Sequence, residues 1–188
     1  MTRAQAWAVH DGALPSHGWE RALCRRYELG LFDIALVRWR DAGGLREHAI
    51  HWAFGWLADG ACEPLGVWIE ATGEPGSPLR LLADLKRRGL ERLRHVAGTD
   101  DGQLRERVTA AFHGAALRSS GETFAAQDIR ATLSRAIRRR GSFANEVTAL
   151  DFVSCALQRM ERRLDRERAI AKVRPRHESG AQMVPPGF

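Results

Sequence analysis

Lysine is almost missing from this chain of 188 residues. Lys86 and Lys172 are the only two, so nearly all of the 29 basic side chains are arginine. Cysteine is scarce as well: Cys24, Cys62 and Cys155 lie far apart, with no CxxC spacing. That excludes a zinc ribbon and a disulfide framework. No apolar run approaches the ~18 residues needed to cross a membrane, so no membrane association is expected. The opening MTRAQAWAVHDGALPS lacks the basic region and apolar stretch of a secretory signal, and the expected location is the cytoplasm. Repeats are missing, and biased composition is confined to the end of the sequence, VRPRHESGAQMVPPGF, which reads as a flexible tail.

The residues present suit one globular domain. Hydrophobic residues make up 44% of the chain and charged residues 28%, enough to bury a core and keep a polar surface. The formal charge of +6 and a pI of about 10.2 fit a phosphate-rich partner, because counterion release drives basic surfaces onto nucleic acid. A coding bias toward arginine gives the same surplus, so charge alone does not establish DNA binding.

Along the chain the hydrophobic period changes from two to about 3.6. Residues 1–27 read as a lead-in with a short helix around Trp19–Arg26. ELGLFDIALVRWRDAGG reads as a strand running into a turn. Glu47–Leu57 and Glu63–Thr72 follow as strands two and three, and the close turns between them predict an antiparallel meander. Ser77-Pro78 then starts a helix that Gly89 stops. Arg92–Gly98 reads as a strand, Asp101–Phe112 as a helix and Ala115–Ser119 as a last strand. Two helices close the chain: Glu122–Arg140, with Ala125, Ile129, Leu133 and Ile137 on one face, and Asn145–Leu164, with an apolar stripe from Val147 to Leu164. The order β-β-β-α-β-α-β followed by helices predicts an α/β fold. Its form is an RNase H-like mixed sheet with flanking helices and C-terminal helices.

One residue breaks the apolar pattern. Asp33 sits in the middle of the first strand, and a carboxylate there is costly unless a hydrogen bond, an opposite charge or a metal compensates it. His48 and His51, three apart on a strand, face opposite sides and do not form a shared metal site.

Several segments together resemble the catalytic domain of Mutator-type bacterial insertion-sequence transposases. They are LFDIALVRWRDAGG, DGACEPLGVWIEATGE and LLADLKRRGL, then SRAIRRRGSFANEVTALDFVSCAL, in the family's order over about residues 27–165. The resemblance implies an RNase H-like domain over residues 28–165, between the lead-in and a flexible tail at 166–188. It also implies DNA transposition through two-metal strand cleavage and transfer, with two Asp and one Glu holding Mg2+. Asp33 falls on the family's first acid. Aligned from RGL, the second falls on Thr99, so that Asp100 or Asp101 supplies it only by a shift of one or two residues; Asp100-Asp101-Gly102 also reads simply as a helix N-cap and turn. The third falls on Gln127, which is isosteric with Glu but uncharged; Asp128 beside it points to another helix face, and Glu122 is further off.

Only 26 residues lie between Asp100 and Gln127, which implies that the family's helical insertion is missing, as is its N-terminal DNA-binding region. Arg138, Arg139 and Arg140 read either as a solvated helix end complementing the dipole or as a DNA-phosphate contact. The expected protein is a shortened transposase with impaired activity, with DNA, a second copy or a full-length transposase as partners. The alternative is a non-catalytic DNA-binding or interaction protein.

Overall fold

The apolar density of residues 29–37 puts their strand at the centre of the sheet. A computed structural model describes residues 20–69, 77–98, 102–118 and 124–173. β1 (Arg26–Asp41) forms a hairpin with β2 (Gly44–Trp56), which pairs antiparallel with β3 (Cys62–Ile69). On its other side β1 pairs in parallel with β4 (Arg92–Gly98), and β4 with the short β5 (Ala116–Leu117). The order is β3-β2-β1-β4-β5, so the strand bearing Asp33 is central, flanked by β2 and β4. This is the RNase H-like mixed sheet that the element order predicts.

Helices cover both faces. α1 (Ser77–Arg87) and α2 (Gly102–Ala111) bring Leu81, Leu85, Leu104 and Val108 against Phe32, Ala53, Leu65 and Val96. α3 (Phe124–Arg140) and α4 (Glu146–Val173) bring Ile129, Leu133, Leu150, Val153 and Leu157 against Leu31, Ala35, Val37 and Trp52. Alternation along β1 decides which face each residue serves: Leu31, Ala35, Val37 and Trp39 turn toward α3 and α4. Asp33 belongs to that same series. No helix among the described residues is long and apolar enough to cross a membrane.

Three expectations need correction. No helix forms over residues 20–25, because their backbone groups are used elsewhere. Leu23 N–H donates to Arg88 O at 2.8 Å, and Glu91 and Arg92 N–H both donate to Arg25 O at 3.0 Å. α4 runs on to Val173, well past Leu164, and its first apolar residue, Val147, is 46% exposed and outside the core stripe. In α3 the expected Ile129, Leu133 and Ile137 are buried, together with Ala126. The side chain of Ala125 lies outside the described residues, as does Glu122.

Candidate functional site

Asp33 is compensated by an opposite charge. Its carboxylate is 2% exposed, and its Oδ2 accepts from Nε of Arg130 on α3. Its Oδ1 accepts the Ile34 N–H at 2.7 Å. A buried carboxylate in a central strand is thus held by a guanidinium 97 residues away in the chain. Such a pair ties α3 to β1, because withdrawing the guanidinium leaves a buried carboxylate without that charge.

Gln127 lies on the same helix, three residues before Arg130 and hence on a neighbouring part of the same face, and is exposed. Asp128 faces elsewhere: its carboxylate pairs with Arg163 of α4. The parallel pairing of β1 with β4 ends at Phe32 and Gly98, one residue short of Asp33. Asp100, Asp101 and Thr99 follow Gly98 and lie outside the described residues.

The acids of this site can be compared with what a divalent metal pair needs. Among the described residues no three His, Cys, Asp or Glu gather to hold a metal ion. Asp33 already carries a cation of its own, and Gln127 offers an amide oxygen without charge. These residues do not fit a resident metal pair; they fit an internal guanidinium. His48 and His51 lie on opposite faces: His48 stacks on Trp39 with ring centroids 3.6 Å apart, while His51 is buried opposite Ile34 and Trp68.

The basic end of α3 forms a second feature. Arg138, Arg139 and Arg140 are all exposed, and Gly141 stops the helix at φ +81°, a conformation a side chain would disfavour. Phe143 then docks on β1: its N–H donates to Arg38 O at 2.8 Å, and its buried ring lies 5.1 Å from that of Phe152. Asn145 caps α4, accepting the Thr148 N–H at 3.0 Å. This docking brings the helix end to the outer half of β1, where Arg38 and Arg40 point to solvent. Arg38 and Arg40 alternate with Val37 and Trp39 and so lie on the sheet face away from α3; none of the five arginines is ion-paired among the described residues. The basic run in the sequence showed three; strand alternation around Trp39 was the signal for the other two.

A buried network that sequence reasoning missed holds α1 to β3. Asp84 accepts from Trp68 Nε1 at 3.2 Å and from Arg87 at 2.6 Å, and its carboxylate forms an ion pair with Arg88 at 3.0 Å. Arg88 also donates to Leu65 O, and burial lowers its pKa from the usual arginine value. The i, i+4 spacing of Asp84 and Arg88 in LLADLKRRGL was the available signal.

Among known protein families, "Transposase, Mutator family" matches residues 16–139. The chain is 38% identical over 109 residues to "Transposase for insertion sequence element ISRM3" of Rhizobium meliloti (strain 1021), covering 56% of this chain and 27% of that protein. It is 42% identical over 86 residues to "Probable transposase for insertion sequence element ISRM3-like" of Sinorhizobium fredii (strain NBRC 101917 / NGR234), covering 45% and 22%. The chain thus spans about a quarter of the length of these curated relatives. A solved simian T-cell lymphotropic virus intasome aligns at 9% identity and a TM-score of 0.32 over 73% of this chain and 49% of that one, a likeness that carries no argument. The match over most of the chain, on a sheet with Asp33 in its central strand, settles the family: the chain belongs to the Mutator family of transposases.

Proposed function

We propose that this chain keeps the frame and the DNA contact of its family and has lost strand cleavage. The observation that carries the reading is Asp33, the position matching the family's first acid, held in an ion pair by Arg130. The family's reaction by two-metal strand cleavage and transfer needs several acids to hold two cations. Here Arg130 and the neutral Gln127 work against that, and Asp100 is the remaining candidate for a second acid. If Mg2+ binds at all, Asp33 and Asp100 are the ligands to test. On this reading residues 28–165 are the transposase-type unit without the helical insertion, acting in the cytoplasm.

DNA is the proposed partner, met through Arg138, Arg139 and Arg140. Such contacts fix position on a duplex and carry little sequence information. The test is duplex binding at two salt concentrations, followed by incubation with Mg2+ or Mn2+. The expected result is sequence-independent binding that falls steeply with salt, and an intact duplex. Preference for one sequence, or metal-dependent nicking that Asp33→Ala abolishes, overturns the reading.

A second reading is favoured by the identity to the two relatives over 109 and 86 residues. On that reading the chain pairs with a full-length transposase and restrains it. Titrating it into a strand-transfer assay of an active relative decides: inhibition at stoichiometric amounts supports pairing, and no effect rejects it.

A further inference from the structure

We propose that the cleft at the N-terminal ends of β1 and β4 is a phosphate-binding site, separate from the arginines around Arg138–Arg140. The first residues of the two strands, Arg26 and Arg92, are partners in the parallel ladder. Backbone bonds from Glu91 and Arg92 to Arg25 O, both 3.0 Å, lock that register. Two arginines are thereby placed opposite one another on adjacent strands, their backbones about 4.8 Å apart. Like charges placed opposite one another are destabilising, and an anion between them removes the repulsion.

The surrounding acids are already engaged. Glu91 pairs with Arg25 at 2.9 Å, and Glu28 pairs with Arg94 at 2.7 Å, with His95 at 4.0 Å. Arg26 and Arg92 are exposed and have no ion pair among the described residues. They border a cleft of about 570 Å³ that Tyr27, Leu93, His113 and the ion-paired Glu28 and Arg94 also line. The guanidinium fork matches phosphate oxygens bidentately, and an imidazole N–H adds a further donor. Two forks and a ring nitrogen around a concave wall are the parts of a phosphate site.

Position along β1 makes this site distinct. Arg26 and Arg40 are fourteen residues apart on one strand, or about 46 Å at 3.3 Å per residue. A duplex of about 8 base pairs, about 27 Å long, reaches only one of the two ends. The phosphate has two possible sources, a nucleic-acid backbone or a small phosphate-bearing ligand.

The test is an NMR amide titration of the full chain with inorganic phosphate. Shifts are expected at Arg26, Arg92, Leu93 and Gly114, and Arg92→Gln or Arg26→Gln should weaken binding at least about tenfold. Arg139→Gln should leave it unchanged. An 8-base-pair duplex added next identifies the source: displacement of phosphate from the cleft means backbone, and undisturbed cleft shifts mean a small ligand. Shifts spread equally over both basic ends overturn the proposal. So does binding unaltered by both cleft variants while their melting temperatures are unchanged. Neither result bears on Asp33, so the reading of strand cleavage stands or falls separately.

Discussion

Replacing Arg130 with Gln should destabilise the fold by about 3 kcal/mol, more than any other single substitution on α3 that leaves its apolar face intact. Once the guanidinium is gone, the Asp33 carboxylate keeps the Ile34 N–H at 2.7 Å but loses the Arg130 charge while still 2% exposed. Removing one member of a buried ion pair costs about 3–5 kcal/mol. The Arg130 side chain is 34% exposed, so water softens the loss and the lower end applies. That is a change of about 100-fold in the folding equilibrium.

Asp33→Asn should cost less, about 1 kcal/mol, because the half-open guanidinium left behind can turn to solvent. The double variant Asp33→Asn/Arg130→Gln should recover most of the Arg130→Gln loss, since no charge remains buried. Urea unfolding followed by tryptophan fluorescence reads this directly, as Trp52 is buried opposite Asp33 in the ladder. The midpoint should move and the slope stay constant. A loss under about 0.5 kcal/mol for Arg130→Gln, or a double variant as unstable as the sum of the singles, refutes the argument.

Other outcomes follow from the same structure. Phe143→Ala should cost about 3 kcal/mol in chemical denaturation, because its buried ring seats the α3–α4 junction against Trp39 and Phe152. Changing Arg138, Arg139 and Arg140 to Gln together should flatten the slope of log affinity for duplex DNA against log salt by up to about 2.7, because each phosphate neutralised on a duplex adds about 0.9 to that slope. In thiol labelling near neutral pH, Cys24 and Cys155, both exposed, should react at once. Cys62 should react only on unfolding, since it is buried and burial pushes its thiol up to about 12. Gly98→Ala should destabilise the sheet beside Asp33, as a Cβ there would lie 2.5 Å from Phe32 O, a backbone atom that cannot swing aside; the melting temperature checks it.

The central position of β1 was legible because residues 29–37 are too apolar for an edge and end in turn residues. The swap from strand to helix period at Ser77 placed α1 for the same reason. Asp33 stood out through its cost in an apolar strand, yet its partner did not. Arg130 is one of 27 arginines, the 29 basic residues less two lysines, and periodicity says nothing about which one arrives from 97 positions away. The lead-in helix failed on a related ground. Local propensity near Leu23 and Arg25 was overruled by a distant loop that takes their backbone groups. Gln127 was read correctly as a neutral side chain, but only the fold reveals that it shares a helix face with a guanidinium reaching Asp33.

The most direct measurement of the central claim is a crystal of the chain soaked in Mn2+, with diffraction recorded at the manganese absorption edge. The account predicts no anomalous peak in coordinating range of Asp33, and the Arg130 guanidinium seated on its carboxylate. Two peaks roughly 3.5–4 Å apart beside Asp33, with Arg130 turned away, would contradict it and return the chain to the two-metal enzymes.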